Sequence, residues 1–142
     1  NPLLFFHNVY RVLKEDGILF LAIPNKEETF DHERPVTDFA HLERDFSEGP
    51  EWSKRQHFEE FVEFADLEDI GRPGWQTEVE RETLISKLIN NDYSIHFHVW
   101  DTNAMIEMIT GMAKKYHLNF HIRHVMSSGD EVVFILQKGQ QK

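Results

Sequence analysis

The chain of 142 residues carries 15 Lys plus Arg against 25 Asp plus Glu, a formal charge of -10, which argues against nucleic acid or an anionic membrane surface as its partner. There is no cysteine, so disulfide frameworks, thiolate zinc sites and cysteine nucleophiles are excluded. A hydrophobic share of 40%, with 12 Phe and 3 Trp, is that of a globular domain able to bury a core, and its apolar runs are too short to cross a bilayer. No signal-peptide pattern opens the sequence, and the expected setting is cytoplasmic.

Asn1-Pro2 is a good helix start, with Asn as cap and Pro in the first turn. Leu3, Phe6, Tyr10 and Leu13 follow at helical spacing, and Gly17 is placed to end this helix in the left-handed conformation. A helical pattern that begins at once on Asn1 reads as a piece of a longer protein. Ile18 to Ile23 are six consecutive apolar residues, the pattern of a strand buried on both faces, and Pro24 stops it. The polar run NKEETFDHERPVTDFAHLERDFSEG follows directly. In open α/β sheets the crevice beyond the carboxyl end of such a strand is where ligands bind.

An amphipathic helix is predicted from Glu51 to about Ala65, on Phe58, Phe61, Val62 and Ala65, and Gly71-Arg-Pro-Gly74 breaks the chain after it. Thr77-x-x-Glu80 is a capping box opening a second helix to Asn90. In the segment 93–100, Ile95, Phe97 and Val99 alternate with Ser94, His96, His98 and Trp100, which predicts an extended run with one apolar face. Asp101 or Thr102 caps a helix with Met105, Met108, Ile109 and Met112 inward, and Gly111 within it hints at close packing. Residues 118–126 and 131–138, joined by Ser127-Ser128-Gly129-Asp130, read as an antiparallel hairpin, and 139–142 as a frayed tail.

Arg11-Val-Leu-Lys-Glu-Asp-Gly17 followed by Ile18-Leu-Phe-Leu-Ala-Ile-Pro24 resembles the segment of class I S-adenosylmethionine-dependent methyltransferases that holds the helix before the fifth strand and that strand. Glu15-Asp16 stands where the family usually has Pro-Gly. Asn25-Lys26, Thr29-Phe30-Asp31, Arg34-Pro35-Val36-Thr37, His41-Leu42, Asp45 and Tyr93-Ser-Ile-His-Phe-His-Val-Trp100 resemble one bacterial branch of that family. The resemblance implies a truncated Rossmann-like α/β sheet of three mixed strands (18–23, 118–126, 131–138), the last antiparallel in the middle. Helices surround this sheet, and residues 25–92 form a helical insert or lid within a single domain. It further implies the carboxyl half of an enzyme that methylates a small-molecule or glycan-type acceptor. The family's cofactor loop is Gly-rich, whereas the 7 glycines here are scattered and no G-x-G occurs. S-adenosylmethionine is therefore expected in the full-length parent, and neither cofactor nor turnover in this chain alone. Loss of the neighbouring strand leaves 18–23 at an edge, open to a second copy of the chain or to coverage by a rearranged helix.

Asp31, His32, Arg34, His41, Asp45 and His57 are the catalytic candidates, because His and Asp beyond the strand can deprotonate an acceptor. The blander roles are that Asp31 and Asp45 cap short helices and Arg34 pairs with a carboxylate to pin the insert. Cofactor-binding residues are not assigned. No metal site is assigned either; the alternative is His96 and His98, alternating on one face, joined by His41, Asp45 or His57. His117, His121 and His124 read as surface, and the methionine stripe as core. A metal-dependent hydrolase and a non-catalytic protein-binding module are the competing functional classes.

Overall fold

The computed structural model describes residues 1–140 as an α/β protein. Helix α1 spans Pro2–Val12, capped by the Asn1 side chain accepting from the Leu4 amide. It ends one turn before Gly17, and the left-handed residue is Asp16, with φ of 61°. Gly17 is needed for another reason: a Cβ there meets the Lys14 carbonyl at 2.7 Å. Crowding, rather than a positive φ, therefore selects glycine at that turn.

Strand β1 (Ile18–Pro24) is followed by a short 3-10 turn at Lys26–Glu28. Then come α2 (Phe39–Glu48), α3 (Glu51–Phe64), α4 (Glu78–Asn90) and α5 (Thr102–Lys115). The chain closes with β2 (Phe120–Ser128) and β3 (Glu131–Lys138). The Thr77/Glu80 capping box forms, and Asp101 caps α5 by accepting from the Ala104 amide. Asp38 caps α2, so neither Asp31 nor Asp45 serves as a helix cap.

The sheet order is β1-β3-β2, with the last strand in the middle. Both ladders are antiparallel, so the last strand lies antiparallel in the middle as expected, and only the description of the sheet as mixed is corrected: β1 and β2 run alike but never pair. Strand β2 starts at Phe120, two residues later than predicted, because Leu118 turns in as buried core before the ladder begins. Gly139 and Gln140 are tied to Asn119, the first through its amide and the second through its carbonyl, so they are no frayed tail. Gln141 and Lys142 lie outside the described residues. No strand pairs with the second edge of β1 among the described residues, and on its outer face Ile18 and Phe20 are 53% and 64% exposed.

Two apolar clusters organise the chain. The first joins Leu3 and Phe6 of α1, Leu42 of α2, the inner stripe of α5 and Val132, Phe134 and Leu136 of β3. Met105, Met108, Ile109 and Met112 of that stripe are all buried, worth about 2 kcal/mol each as an upper figure. The second cluster joins Phe58, Phe61 and Val62 of α3 with Ile85 and Leu88 of α4 and Ile95. Segment 95–100 connects them: Ile95 and Phe97 pack in the second, Trp100 in the first. The expected extended run does not form: the segment bends at Phe97 and His98 and makes no ladder, only one parallel bridge between Trp100 and Asn25. Its backbone is satisfied by the loop 31–37 instead. The Thr37 amide donates to the Val99 carbonyl at 3.0 Å, and the Val99 amide donates to the Thr37 hydroxyl at 3.2 Å. The Trp100 indole N–H donates to the Thr37 carbonyl at 3.0 Å.

Candidate functional site

Five of the six polar residues singled out beyond β1 fall into two centres, which adjoin at the small pocket lined by Asp31, His96 and His98. Asp31 and Arg34 form the base of the first, both essentially without solvent exposure. Arg34 Nη1 donates to Asp31 Oδ1 at 2.9 Å and to the His96 carbonyl at 2.6 Å. Its Nη2 donates to the Phe97 carbonyl at 3.4 Å and lies 3.9 Å from Glu60. Arg34 is thus the pin that sequence reasoning offered as its blander role: one guanidinium ties loop 31–37 to segment 95–100.

The other Asp31 oxygen meets His96 Nδ1 at 2.6 Å, and the imidazole stacks on Phe30 at 5.2 Å. Burial pushes the Asp31 carboxyl up, but the hydrogen bonds from His96 and Arg34, with the Arg34 charge, outweigh it and hold the pKa below the ordinary value. An ionised Asp31 accepts from the His96 Nδ1–H, which makes Nε2 the ring atom open to an acceptor. His96 is 38% exposed at its side chain and lines a small pocket of about 100 Å³ with Ile23, Pro24, Lys26 and Trp100. This pocket sits at the carboxyl end of β1. His32 belongs to neither centre: it is exposed, with Nδ1 against the Thr29 carbonyl at 3.3 Å and Nε2 near Glu33 at 3.7 Å.

The second centre is built where α2 meets α3. The i,i+4 spacing puts His41 and Asp45 on one face of α2, and the same spacing puts Ser53 and His57 on one face of α3. His98 arrives from the bend in segment 95–100. His41 Nε2 is 3.1 Å from His57 Nε2 and 3.7 Å from Asp45 Oδ1, and His98 Nε2 is 2.9 Å from Asp45 Oδ2. One potential ligand atom from each of these four residues lies within 4.8 Å of all the others. The Ser53 hydroxyl donates to Asp45 Oδ1 at 2.9 Å and fixes the carboxylate. Trp52 lies against His41, and Trp100 stacks on His98.

Burial, with the neighbouring His98 and His41, lowers the His57 pKa to about 4. Burial lowers that of His98 as well, against the opposing pull of Asp45. Both rings are therefore neutral at neutral pH, with lone pairs free to accept a proton or hold a metal.

Of the six catalytic candidates, Asp31 and Arg34 share one centre, and His41, Asp45 and His57 share the other. The alternative metal pair is split, since His98 joins the second centre while His96 pairs with Asp31. Ser53 was missed, although its spacing to His57 repeats that of His41 to Asp45. Phe30, which backs His96, carried no signal of that role. His117, His121 and His124 are exposed, as expected. No helix among the described residues is long and apolar enough to cross a membrane. Comparison with protein-family models, curated proteins and solved structures finds no match.

Proposed function

We propose that this chain forms the acceptor-side half of an S-adenosylmethionine-dependent methyltransferase, with His96 and Asp31 as the pair that takes the acceptor's proton. The observation that carries this reading is the sheet order β1-β3-β2, with the last strand reversed between the other two and a small pocket at the carboxyl end of β1 that Asp31 and His96 line. Class I methyltransferase sheets, which the sequence resembles, end in that way, with a reversed seventh strand between the fifth and sixth. The chain's residues supply the acceptor's part only. His96 Nε2 is the base for a hydroxyl or amine of a small-molecule or glycan-type metabolite, Asp31 stabilises the resulting imidazolium, and Arg34 positions both. The residues of this chain hold no Gly-rich turn and do not fit the cofactor's wall.

The test is to express the chain together with the residues encoded upstream of Asn1 and titrate S-adenosylhomocysteine by calorimetry. A strand followed by a Gly-rich turn, and binding that residues 1–142 alone lack, is the expected result. An upstream sequence without such a turn would remove the reading, and tight binding by residues 1–142 alone would remove its half-site part. The four-residue centre at His57 favours a second reading, a metal-dependent hydrolase, for which the discriminating result is hydrolysis that needs metal and no methyl donor.

A further inference from the structure

We propose that His41, Asp45, His57 and His98 bind one divalent transition-metal ion, Zn²⁺ being the ion their donors and spacing suit best. The proposal rests on neither functional reading above, because its readout is metal content rather than turnover.

The spacing is the first argument. A tetrahedral zinc with bonds of about 2.0–2.1 Å separates its ligands by about 3.3 Å. His41 Nε2 is 3.1 Å from His57 Nε2, and the two Asp45 oxygens lie 2.9 Å from His98 Nε2 and 3.7 Å from His41 Nε2. One ligand atom from each of the four residues lies within 4.8 Å of the others, so an ion fits among them once the side chains draw in. The three imidazoles meet edge to face, with centroids 4.8, 5.0 and 5.6 Å apart, and this turns their nitrogens toward a common centre instead of stacking the rings.

Hydrogen bonding alone leaves the centre unsatisfied. Two Nε2 atoms facing each other at 3.1 Å share at most one proton between them. The His57 ring is 3% exposed, yet its Nδ1 has no partner among the described residues. A cation that takes the lone pairs relieves the crowding of the acceptors.

The donor set selects among metals. Three imidazoles and one carboxylate suit zinc and its first-row neighbours, whereas calcium and magnesium require mostly oxygen ligands. The Ser53 hydroxyl on Asp45 is the kind of outer hydrogen bond that orients a ligating carboxylate. Asp45, His57 and His98 also line a pocket of about 330 Å³ with Asn1, Lys54 and Phe97, which gives the ion an entry and leaves room for a fifth ligand. Structurally, the ion clamps α2, α3 and segment 95–100 at the seam between the two apolar clusters.

The test uses purified chain with any affinity tag removed, loaded with Zn²⁺ and exchanged into metal-free buffer. About one equivalent retained by mass spectrometry of the elements, and Co²⁺ bands of tetrahedral intensity, are expected. A His41→Ala/His98→Ala double variant loses both, while a His121→Ala/His124→Ala control keeps them. Because the first variant removes buried rings, nitrogen NMR of the unaltered protein provides a second measure. Zn²⁺ shifts the ring nitrogens of His41, His57 and His98 and leaves His117, His121 and His124 in place. No retained metal and no cobalt bands in the unaltered protein would overturn the proposal. Retention by the double variant, or shifts confined to the surface histidines, would do the same.

Discussion

Arg34 is the residue whose loss the structure prices most clearly. Replacing it with Met keeps an apolar stem of similar length and removes the guanidinium from a site that solvent does not reach. Asp31 then stays buried without its cation, and the His96 and Phe97 carbonyls lose their donors. Breaking a buried pair from one side costs about 3–5 kcal/mol. Asp31 keeps its bond to His96 at 2.6 Å, which places the expected loss at the lower end, about 3 kcal/mol. With an m-value of about 2 kcal/mol per M in urea, the unfolding midpoint falls by about 1.5 M. The double variant Asp31→Leu/Arg34→Met removes the stranded charge as well and is expected to recover much of the loss. The lowered pKa of Asp31 adds a pH signature. Its contribution is present above the unfolded value of 3.8 and disappears as pH falls through the lower folded value, so the acid sensitivity it gives shrinks in Arg34→Met. A loss below about 1 kcal/mol, or a double variant no better than the single one, would show that Arg34 does not hold the 31–37 loop to segment 95–100.

His57 carries a pKa lowered to about 4 against an unfolded 6.5, so between these values the unfolded chain binds more protons than the folded one. Metal-free protein is fully supported by this group above 6.5 and loses stability as pH drops toward 4; equal thermal midpoints near pH 7 and pH 5 would contradict that. At Gly111 an added Cβ meets nothing nearer than Phe39 at 3.9 Å, so the helix does not need glycine there for space. Gly111→Ala should therefore stabilise the chain by about 1 kcal/mol, and a lower melting temperature would refute this. The unpaired edge of β1, with Phe20 and Ile18 exposed on its outer face, is expected to associate with a second copy of this chain. Sedimentation velocity should show association that rises with concentration and weakens in Phe20→Lys, and a monomer at every concentration would rule it out.

What the sequence determined by itself is the local structure. Asn1, Thr77 with Glu80, and Asp101 announce helix starts, because a side-chain oxygen beside free amides satisfies them wherever the helix packs. The apolar run at 18–23 and the turn at Gly129 mark β1 and the hairpin for similarly local reasons. Only the tertiary structure decided which polar groups meet. Alternation puts His96 and His98 on one side of an extended segment, yet the chain bends at Phe97 and His98, and Asp31 takes the first and Asp45 the second. Periodicity cannot foresee that division. It depends on Arg34 bonding to carbonyls more than sixty positions away, and on α2 and α3 bringing two i,i+4 faces together at one seam. The same limit explains the turn before β1, where a Lys14 carbonyl close to Gly17, rather than a left-handed glycine, settled the conformation.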